Sequence, residues 1–236
     1  MGVMASRPRS DGPGTTVGDQ AGAVDLYWIP LGAGAPVVRA GGKLYELGSA
    51  LAQRRARVEL YHSALEVFVP QGRYVIELTP VPDLHGEERG VVAEGPVGPV
   101  RPAWAGRLRL FRYEVRRWHG GLLPDADFAV ASPVRVSDDP GRARQLLDLV
   151  PSVPTHAYGS HGLLPDDMWN SNSVTAWLLA RSGVTTAGID PPLGGRAPGW
   201  NAGLAAAARD GGLPELRTAT PAADPTGRRI DRPEPA

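Results

Sequence analysis

The chain has 236 residues, no cysteine, and 25 basic against 25 acidic side chains. Without cysteine there is no disulfide, no thiolate metal site and no cysteine nucleophile. The balanced charge gives no general attraction to nucleic acid or to an anionic membrane. No apolar run reaches the roughly 18 residues of a membrane helix, and Met1–Thr16 carries no signal-like apolar stretch, so neither nucleic-acid nor membrane partners are expected and the expected location is cytoplasmic. Gly (30) and Pro (24) are abundant, which predicts many turns. Composition divides the chain into an expected disordered tail over 1–20, a single domain over 21–210 and a second, Pro/Ala-rich disordered tail over 211–236.

In chain order, Val24–Leu31 is aromatic and β-branched and reads as a strand stopped at Pro30. Leu44, Leu47 and Leu51 recur at helical spacing and predict a helix over Gly42–Arg55. Glu59–Val69 and Arg73–Thr79 predict two strands joined by a hairpin at Pro70-Gln71-Gly72. Further strands are expected at Val91–Ala93, Leu108–Trp118 and Val134–Val136. Asp139 followed by Pro140 is an N-cap with proline at the first helical position, opening a helix whose inward face is Ala143, Leu146, Leu147 and Val150. After a loop over Ser152–Asp167, one of Asn170, Ser171 or Asn172 caps another helix, which Gly183 ends. Ala202–Arg209 is a last, short helix. Gly121-Leu122-Leu123-Pro124-Asp125 recurs as Gly162-Leu163-Leu164-Pro165-Asp166; the flanks differ, so this is helix-entry chemistry used twice and not a repeat fold.

Two segments combine into a candidate site. Asn170-Ser171-Asn172-Ser173 sets small polar side chains at a helix start, where free backbone N–H groups stabilise negative charge. Tyr61-His62-Ser63-Ala64-Leu65-Glu66-Val67 places an imidazole near the start of a strand. A histidine facing a polar helix N-terminus puts a base beside a nucleophile. Each half also has an ordinary reading: the polar cluster as an N-cap, the histidine as a half-buried, hydrogen-bonded residue.

In these two motifs and in the order of elements between Leu60 and Leu179, the chain resembles the circularly permuted papain-like fold. That group includes the PPPDE desumoylating peptidases, the lecithin:retinol acyltransferase relatives and the permuted NlpC-type peptidases. There a histidine begins a strand, and an Asn-Cys-Asn or Asn-Cys-Glu segment later begins a helix. Ser171 stands where the family carries its nucleophilic cysteine. A thiol at that place ionises near neutral pH, whereas a serine needs His62 to take its proton during attack. Glu77, on the adjacent hairpin strand, is the candidate to orient His62. Glu66 shares a face with His62 but lies about 13 Å along the strand.

The expected fold is therefore α+β, an antiparallel sheet packed against two or three helices in a permuted papain-like arrangement. The expected function is a degenerate or serine-variant amide/ester hydrolase, with His62, Ser171 and Glu77 catalytic and Asn170, Asn172 and Trp169 binding substrate. The alternative is a non-catalytic module that binds a peptide or small ligand in the same cleft. No cofactor or metal is expected. Arg107, Arg109, Arg112, Arg116 and Arg117 crowd one strand, either as an anion site or as a guard against edge pairing. Trp169 and Trp200 are cleft-wall candidates or core. Asp166-Asp167 is either a cation site or a complement to a helix dipole.

Overall fold

A computed structural model describes residues 22–31, 58–80, 90–98, 112–123 and 125–211. The expected Gly42–Arg55 helix, both tails except Gly211, His85, Arg107 and Arg109 lie outside the described residues. Seven strands are present among the described residues: β1 (Ala23–Pro30), β2 (Glu59–Val69), β3 (Gly72–Pro80), β4 (Val91–Pro96), β5 (Arg112–His119), β6 (Val134–Ser137) and β7 (Gly195–Arg196). Three helices accompany them: α1 (Pro140–Leu149), α2 (Ser171–Arg181) and α3 (Trp200–Gly211). The fold is α+β. Sheet order is β4-β5-β3-β2-β1-β6 with all neighbours antiparallel, and β7 runs parallel to the first residues of β2.

Strand alternation decides which face meets the helices. Val24, Leu26 and Trp28 on β1, Tyr61, Leu65, Val67 and Val69 on β2, and Ile76 and Leu78 on β3 share one apolar cluster. That cluster also takes in Leu146 and Leu147 of α1, Val174, Trp177 and Leu178 of α2, and Ala206 of α3. The intervening strand residues turn to the other face, where Ile29, Ala64, Val75 and Leu123 form a smaller cluster. Around it that face is charged yet largely buried: Asp25, Glu66, Glu114 and Arg116 all lie below a tenth exposed. Buried charges need partners, and they have them. Glu66 accepts from Arg73 and from the Tyr27 hydroxyl, Asp25 accepts from Arg135, and Arg116 pairs with both Glu77 and Glu114.

The helix starts follow local chemistry. Asp139 caps α1 by accepting from the Gly141 and Arg142 amides, with Pro140 in the first turn. Asn170 caps α2 in a reciprocal box: its side chain accepts from the Asn172 amide while the Ser173 hydroxyl accepts from the Asn170 amide. Gly183 follows α2 with φ 76°, the left-handed geometry that ends helices. Gly203 lets α3 press against α2, for a Cβ there would stand 2.2 Å from the Ser173 carbonyl oxygen. The repeated Gly-Leu-Leu-Pro-Asp segments open no α-helix. The first leads into a single 3-10 turn, Ala126–Phe128, and the second into a turn closed between Leu164 and Asp167.

Candidate functional site

The start of α2 does meet β2. Asn172 Nδ2 donates to the Tyr61 carbonyl at 2.9 Å and to the Pro198 carbonyl at 2.8 Å. Asn170 Nδ2 donates to the same Pro198 oxygen at 2.8 Å. The Ser173 hydroxyl bonds the Gly199 carbonyl at 2.7 Å and the Met168 carbonyl at 3.1 Å. The polar segment is thus a clasp that holds the helix start, the strand and the 198–199 backbone together. Asn170 and Asn172, expected to bind substrate, are spent on this clasp and are buried. Asn172 Oδ1 stays without a partner among the described residues.

His62 sits one residue beyond the point of attachment, but the pleat turns its side chain away from Tyr61. It is directly opposite Ile29 of β1, on the face of Ile29 and Ala64. No hydrogen bond joins it to Ser171, and neither the imidazole nor the Ser171 hydroxyl has a hydrogen-bond partner among the described residues. Burial alone pushes the imidazole down to about 4, so it is neutral at pH 7 and a weak base. Glu77 does not orient it. That carboxylate lies directly across from Arg116 on β5 and accepts from its guanidinium at 3.2 Å, because a buried arginine outcompetes a neutral imidazole for a carboxylate. Trp169 is fully buried, edge-on to His156 with ring centroids 4.9 Å apart. Of the expected constellation, then, the structure joins Asn172 to β2 and Asn170 to Pro198, and no hydrogen bond links His62, Ser171 and Glu77 to one another.

The described arginines of β5 are likewise occupied. Arg112 pairs with Glu94, Arg116 with Glu77 and Glu114, and Arg117 donates to the Leu147 carbonyl at 3.0 Å. They tie strands and α1 together and present no common anion site. Among the described residues no three His, Asp or Glu side chains converge in a way that would hold a metal ion.

A groove of about 390 Å³ opens on the other side of the clasp, between the 164–167 turn, residues 189–191 and the 195–201 segment. Its frame is pinned. Asp167 accepts from the Gly199 amide at 2.5 Å and the Ala202 amide at 3.1 Å, so it caps α3. Pro198 is held by both asparagines, and β7 is paired with Glu59 and Leu60. Gly199 sits at φ 93° with no room for a Cβ, which would meet Asn170 Oδ1 at 2.2 Å. Trp200 forms part of the wall and leans on Trp28, ring centroids 5.3 Å apart. Ile189 and prolines 165, 191 and 198 supply apolar surface, while Asp166, Asp190 and Arg196 bring charge.

The sequence names three of these residues in advance, Trp200 as a cleft wall or core and Asp166-Asp167 as cation site or dipole complement. Asp167 turns out to serve the helix and Asp166 to face the groove. Asp190, Arg196 and Ile189 give no local signal, since their meeting with 164–167 is made by tertiary contacts. No family model, curated protein or solved structure matches the chain.

Proposed function

We infer that this protein is a non-catalytic ligand-binding domain whose site is the groove beside the α3 start. The single observation that carries this reading is the groove itself: concave, mixed apolar and polar, and framed by bonds that hold its walls before any ligand arrives. The permuted papain-like kinship remains part of the proposal as an ancestry whose His62–Ser171 chemistry has been lost. Against serine catalysis stand three features: an imidazole facing away from the α2 start, a Glu77 carboxylate engaged by Arg116, and a desolvated ring that resists accepting a proton. A fluorophosphonate serine probe tests this directly. The native protein, Ser171→Ala and His62→Ala should all remain unlabelled. Labelling of the native protein that disappears in both variants would overturn the non-catalytic reading and restore the hydrolase.

A further inference from the structure

Resting on the groove reading above, we propose that the groove takes a cationic side chain or amine, an arginine-like guanidinium on an aliphatic stem, presented by a small molecule or a peptide end. Charge complementarity chooses this occupant. Three aspartates line the groove against one arginine. Asp167 spends its oxygens on backbone amides of the 199–202 turn, and Arg196 already has a bonding partner. Asp166 and Asp190 are exposed, and their carboxylates have no hydrogen-bond or ion-pair partner among the described residues. A cation entering the groove therefore meets two uncommitted carboxylates, while an anion meets them as repulsion and finds Arg196 engaged.

Shape and wall chemistry fit the same occupant. Ile189 and prolines 165, 191 and 198 offer apolar surface to the methylene stem. Trp200 supplies an aromatic wall, and an indole is the strongest neutral attractor of a guanidinium or ammonium. Leaning on Trp28, that indole is held in place beforehand, which lowers the ordering cost of binding. A guanidinium also suits two separated carboxylates better than a point-charge ammonium, because its donors fan out in a plane.

The test uses the full chain and follows the Trp200 indole N–H resonance, assigned with Trp200→Phe, during titration with N-acetyl-arginine amide. Its uncharged isostere N-acetyl-citrulline amide and the anionic N-acetyl-glutamate amide serve as comparisons. The arginine amide should shift the resonance saturably and bind about tenfold or more tightly than the citrulline amide, the difference fading with salt. In the double variant D166N/D190N, whose two exposed positions leave the α3 cap intact, the two affinities should converge. Equal binding of both amides by the native protein would overturn the cationic class while leaving the groove as the site. Preference for the glutamate amide would overturn it in favour of Arg196. An unmoved Trp200 resonance with all three ligands would overturn it together with the groove assignment, independently of what the serine probe shows.

Discussion

Asn172 is bonded to Tyr61 across the seam between the helices and the sheet, its side-chain amide donating to the strand carbonyl at 2.9 Å and to Pro198 at 2.8 Å. One buried side chain thus satisfies carbonyls from two distant segments. Asn172→Ala takes the side-chain donor from the Tyr61 oxygen, while Pro198 keeps the Asn170 amide, and stability should fall by about 1–3 kcal/mol for the one stranded group. Asn172→Asp should be at least as damaging, because a carboxylate cannot donate to a carbonyl. Urea denaturation measures both; a loss below about 0.5 kcal/mol for either variant would show that the clasp is not a structural element.

The neighbouring positions should behave very differently. Asn170 is the cap of α2 and also holds Pro198, whereas Ser171 is the first helical residue with an unbonded hydroxyl. Asn170→Ala should cost about 1–2 kcal/mol or more, and Ser171→Ala should change stability by no more than about 0.5 kcal/mol. A reversed order would place the cap at Ser171.

Arg116 lies between two acids, Glu77 opposite it on β3 and Glu114 two residues away on the same face of β5. Arg116→Met takes the guanidinium from Glu114 and from Glu77 in a buried setting and should cost about 3–5 kcal/mol. The triple change that also makes Glu77→Gln and Glu114→Gln removes the stranded charge and should recover much of that loss. Denaturation of the three proteins side by side decides it. If the single and triple variants are equally unstable, packing of the arginine stem matters more than its charge.

α2 and α3 touch where Gly203 faces the Ser173 carbonyl. Gly203→Ala adds a methyl 2.2 Å from that oxygen, and both partners are helix backbone, so relief requires the helices to part. Overpacking of this kind costs about 1–3 kcal/mol, against a helix-propensity gain of about 1 kcal/mol for alanine over glycine. A net loss is therefore expected, with a weakened groove, since α3 begins at its wall. A stabilised variant would mean that the two helices slide apart freely.

Much of this architecture is written in local sequence. Asp139-Pro140 opens α1, the Pro70-Gln71-Gly72 hairpin joins β2 to β3, and the Asn170 segment opens α2. The side of β2 on which His62 falls was also legible. Tyr61, Leu65, Val67 and Val69 alternate with His62, Ala64 and Glu66, so a helix packed on the apolar set is packed away from the imidazole. Motif spacing alone overlooks that parity. The role of Glu77 was not legible, because it depends on β5 arriving with Arg116 in register, some 40 residues later. The groove was legible only in part: Trp200 and Asp166 have the right chemistry, but their convergence with Asp190 follows from the clasp at Pro198, which no local pattern encodes.

His62 gives the domain a pH dependence whose sign follows from its burial. The folded protein holds the imidazole at about 4, below the 6.5 of an unperturbed histidine. The unfolded chain therefore binds the proton more readily, and stability rises with pH across that window. Stability is complete above about pH 6.5 and is lost as pH falls toward 4, by at most about 3–4 kcal/mol at 1.36 kcal/mol per pH unit. Partial exposure of the ring reduces this further. His62→Gln abolishes the titration, so the stability difference between pH 7 and pH 4.5 should shrink in the variant relative to the native protein. The measurement is urea denaturation at the two pH values, with the His62 ring protons followed by NMR. A ring that titrates near 6.5, or an unchanged pH difference in His62→Gln, would show that the imidazole is not desolvated. That result would reopen the case for His62 as a base.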